Sequence, residues 1–104
     1  SRSCPTAFIT AYDEVAIGAM HTFNEHGVKV PDDISVIGIN DIPSSAFAQT
    51  PLTTIKTYPD EVISLAANLL IDRIADPTRA IQKIILGCEL IVRGTTSKPK
   101  GDLK

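Results

Sequence analysis

The segment Ile34-Ser35-Val36-Ile37-Gly38-Ile39 constrains this chain more than any other: it is short, almost continuously apolar, and enclosed by Pro31-Asp32-Asp33 before it and Asn40-Asp41 after it. A run of that length between turn-forming residues suits a β-strand covered on both faces, as in α/β sheets. Upstream, an extended run from Ala7 to Thr10 gives way to helical spacing, with Ala16, Ile17, Met20 and Phe23 apolar. Asp13 suits a cap position, Glu14 the positive end of the helix dipole and His26 the negative end, while Gly27 supplies a left-handed stop. The spacing thus predicts a helix over 13–26. Strand, helix and strand make a βαβ unit with a right-handed crossover and a parallel sheet.

At 104 residues the chain is one small domain at most. Its 43% hydrophobic residues supply enough apolar surface to offset ordering entropy, which excludes a disordered chain. A net charge of -2, from 10 basic and 12 acidic side chains, argues against direct nucleic-acid binding by this segment, which needs a basic stripe to displace counterions. No apolar run approaches the ~20 residues that cross a bilayer, so no membrane association is expected. No basic-then-apolar leader stands at the start. Cys4 and Cys88 fit no metal-ligand or CxxC spacing and read as reduced, half-buried small residues of a cytoplasmic protein, a disulfide between them being the alternative. Because the chain opens on Ser1, it is expected to be a fragment.

Beyond Asp41 the stretch IPSSAFAQTPLTTIKTYP carries prolines at 43, 51 and 59 and reads as a long loop too broken for a helix, with extended chain only from Leu52 to Lys56. A helix is predicted over 59–76: Pro59 suits its first position, Asp60 and Glu61 its first turn, and Val62, Ile63, Ala66, Leu69, Leu70 and Ile74 form an apolar stripe. Asp76-Pro77 stops it. Lys83 to Leu86 and Glu89 to Arg93 read as extended runs around a bend at Gly87-Cys88, and the chain from Gly94 onward as a polar tail, its lysines at 98, 100 and 104 solvated.

Ligands of parallel α/β sheets bind beyond the carboxyl ends of the strands. That rule selects Tyr12-Asp13 and Asn40-Asp41, which offer an aromatic face, carboxyl groups and a carboxamide, the equipment for binding a sugar. Asp13 is equally placed to serve only as a helix cap. Catalysis is not indicated. The acidic pairs Asp13-Glu14, Asp32-Asp33 and Asp60-Glu61 sit at turns and helix starts, and neither Ser44 nor Ser45 lies in a G-x-S-x-G turn. His21 and His26 are five apart, which does not join them as metal ligands, and the glycines at 18, 27, 38, 87, 94 and 101 form no phosphate-cradling loop. Neither a metal nor a cofactor is expected. On helix 13–26, Ala16, Ala19, Met20 and Phe23 either cover the sheet or join the loop bearing Phe47 in a dimer face.

The blocks PTAFITAYDEVAIGAM, NEHGVKVPDDISVIGINDIPSSAFAQTPLTTIK, LLIDRI and ELIVRGTTS occur in an order that resembles the carboxyl-terminal part of LacI/GalR-family transcriptional repressors, over roughly residues 4–97. The resemblance implies an α/β fold: a three-layer, parallel-sheet lobe of a periplasmic-binding-protein-like effector domain, with a small molecule held between two lobes. By that likeness, residues 1–56 belong to the carboxyl-side lobe. Residues 57–87 form a crossover helix and strand of the other lobe, 88–97 a return strand, and 98–104 a tail. Hinge roles fall to Thr54, Lys56, Tyr58 and Cys88.

The same likeness assigns effector contacts to Tyr12, Asp13, Asn40, Asp41 and Thr57. Three of these depart from the family pattern: Tyr12 replaces an amide, Asn40 an acidic residue and Thr57 a glutamine. The I-N-D-I-P form looks like regulators of β-galactoside use, so a galactose-type sugar is the expected effector. Operator DNA would be reached only through an amino-terminal helix-turn-helix outside this chain. A homodimer is expected, with Ala16, Met20, Phe23 and Phe47 at its interface, and no leucine heptad after Thr96 suggests a tetramer. A sugar transporter's solute-binding protein shares the fold and is the alternative.

Overall fold

A computed structural model describes residues 4–101 of the chain. The elements in order are β1 (Ala7–Ile9), α1 (Asp13–Glu25), β2 (Ser35–Asn40), α2 (Pro43–Ala46), β3 (Thr53–Lys56), α3 (Pro59–Ala75) and β4 (Glu89–Ile91). One sheet has the order β1-β2-β3-β4. The first three strands are parallel, in a register that sets Ile9 beside Ile37 and Asn40 beside Lys56, whereas β4 runs antiparallel to β3 with Glu89 beside Lys56. The βαβ unit forms as its sequence period requires, and the sheet it begins is mixed rather than wholly parallel.

The core is small. Ala16 of α1, Val36 of β2 and Leu52 before β3 are fully buried together, and Ile17, Met20, Phe23 and Val30 pack around them. The Phe23 ring meets Phe8 edge-on at 6.1 Å between centroids, closing the helix onto β1. Gly27 stops α1 in the left-handed conformation (φ 74°) that glycine adopts without a Cβ clash.

Four features differ from the sequence-based expectation. A single helical turn, α2, forms within the proline-rich loop, because Pro43 fixes the first helical φ without needing a hydrogen-bond partner. Lys83 to Leu86 form no strand, since no neighbouring strand lies beside them among the described residues. Cys4 and Cys88 are free but exposed rather than half-buried, each preceding an edge strand of the sheet, β1 and β4.

The fourth concerns the segment from Gly94, which is built into the sheet. Fully buried Thr95 donates its hydroxyl to the Val36 carbonyl (2.6 Å), accepts from the Thr53 amide (2.9 Å), and takes the Val36 amide on its own carbonyl (2.9 Å). It thereby occupies the gap where β2 and β3 have not yet paired. Ser97 bonds Ser35, and Lys100 pairs with Asp33 at 2.7 Å, so the tail is strapped across the Pro31–Asp33 turn while Lys98 and Lys100 stay exposed to solvent. Residues 102–104, the end of the expected tail, lie outside the described residues, as do 1–3.

The other half of the chain is open. None of α3 is buried, and Val62, Ile63, Leu70, Ile71 and Ile74 face outward. The radius of gyration is 18.7 Å, against about 13 Å for a compact domain of 100 residues. No helix among the described residues is long and apolar enough to cross a membrane.

The Lys100 ammonium, followed by the Lys29 amide, holds the Asp33 carboxyl below its ordinary value of 3.8. A depressed folded-state value means that this stabilisation is present above the unfolded value and fades as pH falls through the folded one. In Lys100→Gln the Asp33 midpoint, followed by carboxyl NMR, is expected to rise toward 3.8; an unmoved midpoint would show that the strap does not form in solution.

Candidate functional site

The parallel strands β1, β2 and β3 all release the chain at the same sheet end, which gathers Tyr12, Asn40-Asp41 and Thr57 there, with β2 in the middle. Tyr12 is the N-cap residue of α1, makes no side-chain cap bond, and is 52% exposed. Asn40 and Thr57 are brought into contact: the Thr57 hydroxyl donates to Asn40 Oδ1 at 2.9 Å. That leaves the Asn40 amide group, a double donor, for another acceptor. Asp41 is half-buried and paired with Arg93 at 2.8 Å.

Asp13 is placed differently from either sequence-based reading. It does not cap α1, and it does not face the open strand ends. It is fully buried, where its Oδ1 accepts the Thr54 hydroxyl (2.5 Å) and its Oδ2 accepts the Ser45 hydroxyl (2.6 Å) and the Ile42 amide (2.8 Å). The reason is the neighbouring Gly38. A Cβ there would collide with Asp13 Oδ1 and the Leu52 side chain, so its absence lets the first turn of α1 press its carboxyl group onto the sheet. Asp13 therefore ties α1, α2 and β3 together behind the site rather than within it. Ser45 is a supporting residue that sequence reasoning does not single out; its signal is a small hydroxyl within a proline-started turn.

The candidate hinge residues also separate. Thr54 is fully buried in β3 and anchored to Asp13, so it belongs to the rigid sheet. Lys56 ends β3, with its ammonium 5.7 Å from the Tyr58 ring centroid. Tyr58 precedes α3 and donates its phenol to Glu89 at 2.9 Å, joining the outgoing and returning segments. The Glu89 carboxylate, by hydrogen bond and then by charge, raises the Tyr58 phenol above 10.0. Cys88 lies immediately before β4.

Of the candidate dimer residues, Ala16 is excluded from any interface because it is fully buried against Val36 and Leu52. Met20 and Phe23 are half-buried against the same core, whereas Phe47, just past α2, is 87% exposed. The groove between α1 and the segment after Phe47 measures about 530 Å³ and includes Ile17, Met20, Ala48 and Thr50 in its walls. No cluster of three His, Cys, Asp or Glu side chains able to hold a metal occurs among the described residues.

Comparison with known proteins places these features in context. Residues 1–96 match the family of the periplasmic binding protein-like domain. The HTH-type transcriptional regulator GanR of Bacillus subtilis is 36% identical over 89 residues, covering 86% of this chain and 27% of the relative. A LacI family transcriptional regulator from Enterococcus faecium, solved with bound ribose, is 30% identical with a TM-score of 0.81, over 95% of this chain and 37% of that one. The dimeric Lac repressor with an 11-residue C-terminal deletion is 33% identical with a TM-score of 0.77, over 92% and 35%. The chain thus spans about a quarter to a third of the length of the relatives it matches.

Asp13→Ala leaves the buried Ser45 and Thr54 hydroxyls and the Ile42 amide without their acceptor. It is expected to destabilise the protein by about 3 kcal/mol or more, since each orphaned donor costs roughly 1–3 kcal/mol. Urea unfolding measures this, and a loss below about 1 kcal/mol would show the hub to be dispensable. Gly38→Ala, forced against the same carboxyl group, is expected to cost about 1–3 kcal/mol in that assay.

Proposed function

Since the chain belongs to the periplasmic binding protein-like domain family, we propose that it is the carboxyl-side part of the effector-sensing domain of a LacI/GalR-type transcriptional regulator. The carrying observation is the contact between Asn40 and Thr57, which assembles amide and hydroxyl groups from two parallel strand ends beside the exposed Tyr12 ring. Such a set recognises the hydroxyls and apolar face of a sugar. The ribose seen in the Enterococcus faecium regulator supports the sugar class, and we favour a galactoside.

Its uneven burial supports a division of the chain. Residues 4–56 and the return segment 88–97 form one lobe, while the uncovered apolar stripe of α3 packs in a second lobe to which residues 57–87 cross. Lys56, Thr57, Tyr58 and Cys88 lie where the chain leaves and re-enters the sheet, so a change in lobe orientation is absorbed there. The protein acts in the cytoplasm, without catalysis, as a homodimer whose operator contacts lie outside this chain. The transporter reading is set aside because the relatives it matches are transcriptional regulators. Phe47, 87% exposed, supplies the dimer contact, with the exposed edges of Met20 and Phe23 on α1 as its further candidates.

Calorimetric titration of the protein that carries this chain with galactose, lactose, ribose, glucose and sucrose should identify at least one ligand. Asn40→Ala should weaken that ligand roughly tenfold or more, the loss of a buried hydrogen-bond partner. Binding of none of the five, together with no retention of promoter DNA from its own locus, would overturn the proposal. Phe47→Glu is expected to convert dimer to monomer in sedimentation, and an unchanged dimer would exclude Phe47 from the interface.

A further inference from the structure

The corner after β2 is held in a conformation that side chains rarely adopt. Asn40 has φ 114° and Asp41 φ 59°, two consecutive non-glycine residues in the left-handed region. Asn and Asp tolerate that region better than other residues, yet both pay steric strain that surrounding contacts must offset. Glycine would relieve the strain but would supply neither carboxamide nor carboxyl group. The corner therefore persists because it is held, and the structure identifies what holds it.

Two attachments come from the strands that lead away from this part of the sheet and return to it. Thr57, one residue beyond β3, bonds the Asn40 side chain. Arg93, two residues beyond β4, is more extensively engaged. Its Nη2 pairs with Asp41 Oδ1 at 2.8 Å, its Nη1 donates to the Leu52 carbonyl at 3.0 Å, and its own amide donates to Thr53 Oγ1 at 2.9 Å. The guanidinium is thus fixed at one nitrogen to the residue just before β3 while the other grips Asp41. With side chains only 21% and 17% exposed, the pair is poorly screened by solvent, and the planar fork of arginine suits two acceptors at once. Next in the chain, the Ile42 amide is tied to Asp13.

We propose that Arg93 is a positioning residue for the effector site: by gripping Asp41 it fixes the left-handed corner and so aims the Asn40 carboxamide at the ligand. The inference rests on the sugar-binding reading above, and it adds a residue that lies beyond the strand-end positions. It also makes Asp41 a handle for the backbone rather than a ligand contact.

The test uses the intact protein in two measurements. Without ligand, amide hydrogen exchange at Asn40–Ile42 should accelerate at least tenfold in Arg93→Gln and remain unchanged in the control Lys100→Gln. With galactose, lactose, ribose, glucose and sucrose, whichever sugar binds the wild type should bind Arg93→Gln at least tenfold more weakly, while Arg93→Lys recovers part of the loss. Asp41→Asn with Arg93→Gln should lose no more affinity than either single variant, because one acts through the other. Unchanged corner exchange overturns the proposal whether or not a sugar binds. So does unchanged sugar affinity, or multiplicative losses in the double variant. Accelerated exchange in a protein that binds none of the five supports the corner's dependence on Arg93 and removes instead the assignment of the corner to a sugar site.

Discussion

The setting of the loops at the carboxyl end of the parallel strands depends first on one buried carboxyl group. Asp13 receives hydroxyls from Ser45 and Thr54 and the amide of Ile42, so one side chain joins the start of α1, the single turn of α2 and the middle of β3. Burying a polar group is unfavourable unless its hydrogen-bonding capacity is met, and here three donors converge on two oxygens. The apolar core beneath is three fully buried side chains with a half-buried fringe, which is little area for a sheet of four strands. Packing alone specifies the layers; the polar hub specifies how the loops above them are set. Gly38 makes the arrangement sterically feasible by leaving room for the carboxyl group.

The candidate site is therefore layered. Asn40, Thr57 and Tyr12 stand toward the open side, while Asp13, Asp41 and Arg93 hold their backbone from within. This division gives chemically similar residues different work. Asp13 and Asp41 are both acidic residues next to a strand end, yet neither is free to meet a ligand, because one is occupied by three donors and the other by a guanidinium. The neutral Asn40, its oxygen occupied by Thr57, keeps its donor amide available. A site of that composition favours recognition of hydroxyl groups without requiring a charged ligand.

Much of the fold was legible in the sequence, because hydrophobic period and end signals act locally. The strand at Ser35–Asn40, the helix from Asp13 and the long helix after Pro59 each carry their own pattern and stop. What stayed hidden depends on partners distant in the chain. Asp13 looks like an ordinary helix cap until Ser45 and Thr54 are brought beside it, 32 and 41 residues away. Arg93 looks like the end of a strand until it meets Asp41. Thr95 reads as tail, since a buried threonine filling a gap between two strands has no local signature. The extended run at Lys83–Leu86 shows the reverse: its composition suits a strand, but strands exist only where there is another strand to pair with.

The insertion of Thr95 between β2 and β3 sets an order of assembly. Its hydrogen bonds to Val36 and Thr53 span 59 and 42 residues, and they enclose the whole excursion through α3. Closing loops of that length carries an entropy cost that must be met before those contacts reward it. On a ribosome, the βαβ unit is complete by β2, but the gap at the start of the seam between β2 and β3 stays unfilled until Thr95 has emerged. During that interval the Val36 amide and carbonyl lack the partners they hold in the finished fold. The residue that seals this gap thus arrives after all four strands of the sheet, and a polypeptide stopped before Thr95 would expose an unfinished strand edge of the kind that invites pairing with other chains.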